Sequence, residues 1–232
     1  MAFEKILNVI DKVLTYSIAM CCIGILATST FFIWDSLIQI RQTTADYYRE
    51  YREMIIEENG NYNFDSLREI NPDITGWLTL YDTGIDYPIL QNREDFNYLN
   101  RDFRGETNLT GSIYLQEDES IEDEVLVLFG HHISDGSMFG QLDEYQDPAY
   151  FNEHIEGELI TDTGKYNLRV LALVSTDAYD PIYRYDISHL EDLQVVTGSL
   201  EDIEADKLLF LSTCTSSGGI ERTILIVEGE AV

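Results

Sequence analysis

Basic residues are scarce in this chain of 232 residues, in which 14 Lys and Arg stand against 43 Asp and Glu for a formal net charge of −29. Binding to nucleic acid requires a basic surface that neutralises phosphates, so this shortage argues against that class of function. Hydrophobic residues make up 44% of the chain and aromatic residues 12%. A disordered acidic tail is poor in both, so the chain is expected to fold, with room for one domain and an appendage.

Cysteine and proline are also scarce, with three and four residues respectively. Cys21 and Cys22 are adjacent, which excludes a disulfide scaffold, and Cys214 is the only other cysteine. The four prolines form no Pro-rich linker, and the sequence contains no internal repeat. The domain organisation therefore has to be inferred from the hydrophobic pattern.

Charge is absent altogether from Val13 to Trp34, a run of 22 residues. As a helix that rises about 1.5 Å per residue, the run covers roughly 33 Å, which is enough for the hydrocarbon core of a bilayer. A cleaved signal peptide and a buried core helix are the alternatives. The run is longer than the usual core of a signal peptide, and no clear small-residue cleavage site follows it. We therefore predict a retained transmembrane anchor at residues 13–34.

The orientation of this anchor is not decided by charge, because Lys5 and Lys12 precede it while Arg41 and Arg49 follow it. The four charged residues before the anchor cancel, so the whole net charge belongs to residues 35–232. We interpret this acidity as a solvated surface. The alternative is that it attracts a cationic amine.

Two kinds of pattern follow the anchor. Residues 36–58 carry apolar and aromatic residues at loosely helical spacing, which predicts one or two amphipathic helices. A short helix is predicted over Phe64–Ile70, because Asn71-Pro72 stops it. Residues 35–70 are therefore predicted to be an N-terminal helical extension.

From residue 71 onwards, short strands alternate with turn signals. The eight predicted strands are Gly76–Tyr81, Ile85–Gln91, Gly111–Leu115, Glu124–Phe129, Glu158–Asp162, Tyr166–Thr176, Leu208–Thr213 and Arg222–Glu228. Helices are predicted at Glu94–Asn100, Met138–Tyr145, Pro148–His154 and Ser188–Leu200. Eight strands with few helices predict a mostly β fold, in which residues 71–232 form a closed or nearly closed β-barrel.

Cys214 is a candidate nucleophile. A lone cysteine is often a small buried hydrophobe, but this one lies where an apolar strand ends and a polar, glycine-containing loop begins. Its sulfur is therefore expected to be reachable, and a lone reachable cysteine in an exported protein indicates a working thiol. Such a thiol needs a base or a cation to become a thiolate.

Four histidines are available as the base. His154 and His189 lie in polar, helical surroundings and are interpreted as solvated surface residues. His131 and His132 follow an apolar strand directly, as Cys214 does. Adjacent residues of a strand point to opposite faces, so only one of the two is expected to face the thiol. No cysteine or carboxylate lies at the short spacing that a zinc site requires, and no metal is predicted.

Arg222 is the third candidate, because seven residues separate it from Cys214 and a hairpin would return it close to the thiol. Its guanidinium can lower the pKa of the thiol or donate to the oxyanion that forms when sulfur attacks a carbonyl. A solvated arginine at the start of a strand is the alternative. Together Cys214, His131 and Arg222 predict acyl transfer through a thioester. A papain-like protease is disfavoured, because there the cysteine precedes the histidine.

These residues lie in motifs that resemble the sortase family, most closely class B. Leu211-Ser212-Thr213-Cys214 matches most of the family's Thr-Leu-x-Thr-Cys signature, with Phe210 in place of the first Thr. Gly130-His131-His132, followed by Asp135-Gly136-Ser137-Met138-Phe139, resembles the class B histidine region, whose first His is catalytic. Arg222 occupies the family's arginine position. Upstream, 71–78, 85–91 and 111–114 are similar to class B scaffold segments, and the likeness covers roughly residues 36–230.

The resemblance implies an eight-stranded sortase-type β-barrel with short helices, preceded by N-terminal helices and one transmembrane helix. Residues 1–12 would form a short cytoplasmic tail, and the catalytic domain would lie on the extracellular face of a Gram-positive-type cell membrane. The implied activity is that of a cysteine transpeptidase. Such an enzyme cleaves the C-terminal sorting signal of surface proteins after Thr and passes the acyl group to an amine of a peptidoglycan precursor or a pilin.

The resemblance also implies roles for individual residues. Cys214 would act as thiolate, His131 as imidazolium and Arg222 as the oxyanion donor, without a metal or other cofactor. Substrate contacts would come from Ser212, Leu99, Ile182 and Tyr183. The alternative from a different class is a sortase-like scaffold or pilus-assembly partner that has kept the barrel and lost turnover.

Overall fold

The computed structural model describes residues 2–41, 44–58, 61–91, 97–117, 119–184, 190, 193–200, 203, 205–214 and 219–232. The chain divides into two compact units, one within residues 1–41 and the other within residues 42–232.

The first unit is one long helix, α1 (Ala2–Arg41), which contains the whole predicted anchor. Its stretch Phe3–Ile38 is long and apolar enough to cross a membrane, by length and composition, and its apolar side chains are exposed. Two threonine hydroxyls inside the run donate to carbonyls one turn earlier, Thr28 to Gly24 at 3.0 Å and Thr30 to Leu26 at 2.8 Å. The helix therefore satisfies these polar groups itself and is a candidate membrane anchor.

The second unit begins with helix α2 (Ala45–Arg52), the strands β1 (Ile56–Glu58) and β2 (Asn61–Asn63), and the one-turn helix α3 (Asp65–Arg68). β1 and β2 pair antiparallel, so the segment predicted as a helical extension contains a small hairpin.

The helix predicted over residues 36–58 is wrong at its end, where β1 forms. Ile55 and Ile56 are β-branched, and the sequence Asn59-Gly60 that follows them favours a two-residue hairpin loop. These local preferences exceed the weak helical periodicity.

Nine strands of the second unit form one sheet in the described part of the chain. They are β3 (Ile74–Leu80), β4 (Asp86–Leu90), β5 (Ile113–Leu115), β6 (Val125–Phe129), β7 (Glu156–Thr161), β8 (Gly164–Asp177), β9 (Gln194–Gly198), β10 (Lys207–Cys214) and β11 (Glu221–Ala231). Eight of them follow the order β11-β10-β6-β5-β4-β3-β7-β8, and pairing of β8 with β11 closes the ring. The predicted eight-stranded barrel is confirmed.

The ninth strand, β9, is absent from the strands predicted from the sequence. It pairs with β8 outside the closed ring, where the 14-residue β8 extends beyond the end of the six-residue β7. The helix predicted over Ser188–Leu200 is therefore wrong at Gln194–Gly198, while 188–189 and 191–192 lie outside the described residues. The run Val195-Val196-Thr197 is β-branched, and β8 offers it an edge with which to pair.

The remaining helices are short. They are the 3₁₀ helices Asn97–Leu99, Phe139–Gln146 and Pro181–Arg184, and the helix α4 (Pro148–Glu153). α4 starts where predicted, because Asp147 accepts the backbone N–H of Ala149 at 2.8 Å and Pro148 holds the first helical position. Of the helix predicted over Glu94–Asn100, the 3₁₀ turn Asn97–Leu99 is present, and 94–96 lie outside the described residues.

Side chains of β10 and β11 pack on both faces of the sheet. On one face Leu209, Leu211, Leu225 and Val227 belong to the main hydrophobic core. On the other face Leu208, Phe210, Ile224 and Ile226 form a second cluster, which is covered by apolar residues of the connection between β8 and β10. Burial on both faces explains why β6 and β10 are continuous apolar runs in the sequence.

Candidate active site

The candidate nucleophile, Cys214, is the last residue of β10 and is exposed. All seven preceding residues of the strand, Lys207–Thr213, are buried, so the thiol is the first side chain along β10 that solvent reaches. In the antiparallel register of β10 and β11, Cys214 lies opposite Arg222. The antiparallel pairing expected from the sequence therefore forms and brings the guanidinium-bearing residue next to the thiol-bearing one.

His131 lies at the end of the neighbouring strand on the other side. β6 and β10 run parallel, with Phe129 opposite Ser212, so two residues further along each chain are His131 and Cys214. The Gly130 N–H donates to the Ser212 carbonyl at 3.2 Å, which continues the ladder by one residue. The Thr213 hydroxyl donates back to the Gly130 carbonyl at 2.8 Å. These bonds fix the backbone immediately before both functional residues.

The imidazole of His131 is half-buried, and its Nε2 lies 2.7 Å from the Leu99 carbonyl oxygen. A carbonyl only accepts hydrogen bonds, so Nε2 carries a proton. Nδ1 is then the ring nitrogen that can exchange a proton with a reacting group. The backbone of the 3₁₀ turn Asn97–Leu99 thus determines which tautomer the neutral ring adopts.

The adjacent His132 engages a different element. Its Nε2 lies 2.8 Å from Oδ2 of Asp143, which belongs to the 3₁₀ helix Phe139–Gln146. The two neighbouring histidines therefore point to different partners, as alternation along an extended chain requires. Of the other histidines, His154 is half-buried, donates through Nδ1 to the Tyr150 carbonyl and stacks on the Tyr150 ring, so it is not the solvated residue expected. His189 lies outside the described residues.

The guanidinium of Arg222 is half-buried at the start of β11. Its Nη1 donates to the carbonyls of Gly219 at 3.0 Å and Glu221 at 2.9 Å. These two bonds orient the side chain from one nitrogen only. A planar guanidinium has five N–H donors, so donors beyond Nη1 remain for a reacting oxygen.

Two of the predicted substrate residues contact each other beside this site. Ser212 is buried, and its Oγ lies 2.7 Å from the Tyr183 hydroxyl. Burial raises the pKa of Tyr183 to about 12, opposed by the hydrogen bond to Ser212 and the positive charge of Arg222, and reinforced by Asp180 and Cys214. Tyr183 therefore lies within electrostatic reach of both the thiol and the guanidinium.

An aromatic row continues from Tyr183 along the strand ends. The Tyr183 ring stacks on Phe129, with centroids 5.8 Å apart, and Phe129 lies 5.6 Å from Tyr114 on β5. Burial raises the pKa of Tyr114, and negative charge at Cys214 adds to that shift. Sequence reasoning missed Tyr114 and Phe129 as residues of the site. The available signal was that each stands at or next to the end of a strand leading into the site.

The other two predicted substrate residues differ in exposure. Leu99 is 43% exposed, and its carbonyl binds His131. Ile182, in the 3₁₀ helix Pro181–Arg184, is only 2% exposed and packs in the second hydrophobic cluster. Within the described parts of the chain, no group of three or more His, Cys, Asp or Glu side chains is placed to hold a metal ion.

Known proteins with the same architecture are sortases. No protein-family model matches the chain. Sortase B of Staphylococcus aureus is 29% identical over 199 residues, which cover 78% of this chain and 82% of that protein. Its solved structures include a complex with a substrate and a complex with triglycine.

Two further solved structures are similar over most of the chain. A class B sortase of Streptococcus pyogenes that is involved in pilus biogenesis has a TM-score of 0.62 and 30% identity, and the match covers 72% of this chain and 98% of that one. Sortase B of B. anthracis has a TM-score of 0.69 and 25% identity, and the match covers 86% of this chain and all of that one.

Proposed function

Since the chain belongs to the class B sortases, we propose that it is a membrane-anchored cysteine transpeptidase in which Cys214, His131 and Arg222 perform the chemistry. The observation that carries this proposal is the register of three neighbouring strands. β10 ends at Cys214, β11 places Arg222 opposite it, and the parallel partner β6 leads to His131.

The first half-reaction cleaves the substrate. The Cys214 thiolate attacks the carbonyl carbon of the scissile amide, a C–S bond forms, and negative charge moves to the carbonyl oxygen. The free N–H donors of Arg222 stabilise that oxyanion. The tetrahedral intermediate then collapses, the C–N bond breaks, and the His131 imidazolium gives its Nδ1 proton to the leaving amine. The acyl group remains on sulfur as a thioester.

The second half-reaction transfers the acyl group. An acceptor amine attacks the thioester carbonyl, and neutral His131 takes a proton from it through Nδ1. Arg222 again holds the oxyanion. Collapse breaks the C–S bond, restores the Cys214 thiolate beside the His131 imidazolium and releases the new amide.

The substrate is the C-terminal sorting signal of a surface protein, cleaved after Thr. Ser212, Tyr183 and Leu99 are proposed to contact it, because they surround the strand ends that carry the three reacting groups. Ile182 is proposed as a fourth contact. Because Ile182 is buried, its side chain reaches the substrate only if the 3₁₀ helix Pro181–Arg184 shifts.

The acceptor is proposed to be a primary amine of a peptidoglycan precursor or a pilin. This proposal is supported by the triglycine complex of the S. aureus relative and by the role of the S. pyogenes relative in pilus biogenesis. The acidic character of residues 35–232 would favour the approach of a cationic amine.

The proposed location is the cell membrane, with a single pass. Residues 1–12 form the cytoplasmic tail, 13–34 the transmembrane anchor, 35–70 the N-terminal extension and 71–232 the extracellular catalytic domain. The apolar helix α1 supports this arrangement.

The test uses the full chain in detergent micelles with a library of Thr-containing peptides and triglycine as the acceptor. Mass spectrometry is expected to find peptides cleaved after Thr and joined to triglycine. Cys214→Ala should abolish both products, whereas His132→Ala should keep them. Normal turnover by Cys214→Ala would overturn the proposal. A thiol that reacts with iodoacetamide no faster than free cysteine would instead support an inactive scaffold.

A further inference from the structure

Gly111 occupies a crowded position next to the His131 ring. Its φ is +62°, and a Cβ at this position would lie 2.6 Å from the Leu99 carbonyl oxygen, 2.7 Å from the Tyr98 carbonyl oxygen and 3.0 Å from Cδ2 of His131. Two carbonyl oxygens and one edge of the imidazole thus converge where any other residue would place its Cβ. Both the backbone conformation and the contacts require glycine here.

Gly105, in the same segment, shows that the two requirements are separable. Its φ is +81°, so a side chain there meets comparable backbone strain, but nothing lies within 4 Å of a Cβ built on it. A residue larger than glycine at 105 would therefore strain only its own backbone. At 111 it would also push against the carbonyl that binds His131.

The carbonyls that converge on Gly111 are held firmly from the opposite side. The Tyr98 hydroxyl donates to Oδ2 of Asp73 at 2.7 Å and accepts from Nδ2 of the buried Asn71, also at 2.7 Å. The Ser112 N–H donates to the Tyr98 carbonyl at 2.9 Å. An added Cβ at 111 therefore has a fixed wall on one side, and the His131 ring is the movable neighbour.

The hydrogen bond from His131 Nε2 to the Leu99 carbonyl decides what the ring can do. While this bond holds, the proton of the neutral ring stays on Nε2, and Nδ1 alone exchanges protons with the thiol and the amines. If the ring turns away, neutral imidazole is free to carry its proton on Nδ1. That tautomer cannot accept a proton through Nδ1.

We propose that Gly111 is a positioning residue for His131: the absence of a side chain at 111 allows the Leu99 carbonyl to hold Nε2–H, which keeps Nδ1 available for the acyl-transfer reaction. The consequence for turnover rests on the proposed function. The consequence for the tautomer does not.

The test compares Gly111→Ala with the matched control Gly105→Ala in the full chain in detergent micelles, with ¹⁵N-labelled histidine. His131 signals are assigned by their loss in His131→Gln. In the unmodified chain the neutral His131 ring is expected to show the Nε2–H tautomer. Gly105→Ala should preserve it, and Gly111→Ala should convert it to a mixture.

Kinetics with the peptide library and triglycine provide the second readout. Gly111→Ala is expected to lower kcat about 100-fold, the order of loss caused by a misplaced catalytic group, with KM unchanged. Gly105→Ala should retain kcat. A Gly111→Ala chain that keeps both the tautomer and kcat would overturn the proposal.

The remaining outcomes separate this proposal from the proposed function. An Nδ1–H tautomer in the unmodified chain overturns the positioning role even if Gly111→Ala does not fold. If the unmodified chain shows no transpeptidation, but its Nε2–H tautomer is lost only in Gly111→Ala, the proposed function fails and the positioning of the ring stands.

Discussion

The β10–β11 hairpin has two ends, and they treat their polar groups differently. At one end Cys214 lies opposite Arg222, the first exposed and the second half-buried. At the other end Lys207 and Glu228 are 2% and 4% exposed. The same two strands, with the same register, therefore carry reachable groups at one end and buried charges at the other.

The buried charges are held by specific partners. Nζ of Lys207 donates to the carbonyls of Ile121 and Asp123, each at 2.9 Å, and lies over the Tyr166 ring. Burial lowers the pKa of Lys207, although Glu122, Asp123 and Glu124 oppose that shift. Glu228 accepts from Nε of Arg169 at 2.6 Å. These contacts offset the cost of burying the two charges, and they stabilise the fold at this end.

The comparison teaches where activity and stability reside in one hairpin. Groups at the Cys214 end keep hydrogen-bonding or nucleophilic capacity for a substrate, and those at the Lys207 end use theirs within the protein. Substitutions at the two ends should therefore separate turnover from stability, and the experiments below could break or sharpen that separation.

The largest separation is expected from Cys214→Ala. Loss of the nucleophile should lower kcat by at least about 10⁴-fold. The side chain is exposed, so the unfolding free energy should change by less than about 0.5 kcal/mol. Peptide cleavage assays and urea unfolding monitored by circular dichroism check both values. A loss of several kcal/mol in Cys214→Ala would break the proposed separation.

A smaller loss of turnover is expected from Arg222→Lys, which keeps the charge but loses the planar set of donors. An oxyanion donor of this kind contributes about 100-fold to kcat. The matched control is Arg169→Lys, at the residue that binds Glu228 near the opposite end of the hairpin, and it should retain kcat. Steady-state cleavage of the peptide library measures both. Equal kinetic losses in the two variants would show that the effect is not local to the site.

The next effect is on stability alone. Lys207→Met leaves the carbonyls of Ile121 and Asp123 without their buried donor, which should lower the unfolding free energy by about 3 kcal/mol. The kcat of the folded fraction should not change, because Lys207 lies at the far end of β10 from Cys214. Thermal and urea unfolding measure the first quantity, and single-turnover cleavage measures the second. A variant with normal stability would contradict the role given to Lys207.

The smallest effect concerns alkaline pH. Burial raises the pKa of Tyr183 to about 12 and also raises the pKa values of Tyr48, Tyr87 and Tyr145. A raised pKa means that the folded chain keeps a proton that the unfolded chain loses above about pH 10. The contribution of these tyrosines to the unfolding free energy should therefore be constant below about pH 10 and fall as the pH rises towards 12.

Tyr183→Phe removes one of these groups. The fall in unfolding free energy between pH 10 and pH 12 should then be smaller by about 2 kcal/mol, in proportion to the two-unit shift. Urea unfolding at a series of pH values measures this difference. An identical pH dependence in the two chains would mean that Tyr183 ionises as freely in the folded chain as in the unfolded one.

Much of the fold was predictable because each barrel strand is short, apolar and bounded by turn residues. The pairing of Cys214 with Arg222 followed from the length of the connection between two such runs. The strand β9 was not predictable in this way, because its pairing depends on how far β8 extends beyond β7. That length difference appears only when the sheet is assembled.

The candidate site was predictable as far as side chains reveal it. His131 could be chosen by its place at a strand end, but its partner is the carbonyl of Leu99, and a backbone carbonyl carries no sequence signature. The burial of Ile182 depends in turn on the second hydrophobic cluster, to which several distant strands contribute. Such contacts arise from tertiary packing rather than from local pattern.

The most direct test of the central claim is the intact mass of the full chain after incubation with the Thr-containing peptide library in the absence of an amine acceptor. We predict a covalent adduct whose mass equals a peptide fragment ending in Thr. Proteolytic mapping should locate it on Cys214, and hydroxylamine or triglycine should release it. No adduct, or an adduct that persists in Cys214→Ala, would contradict the account.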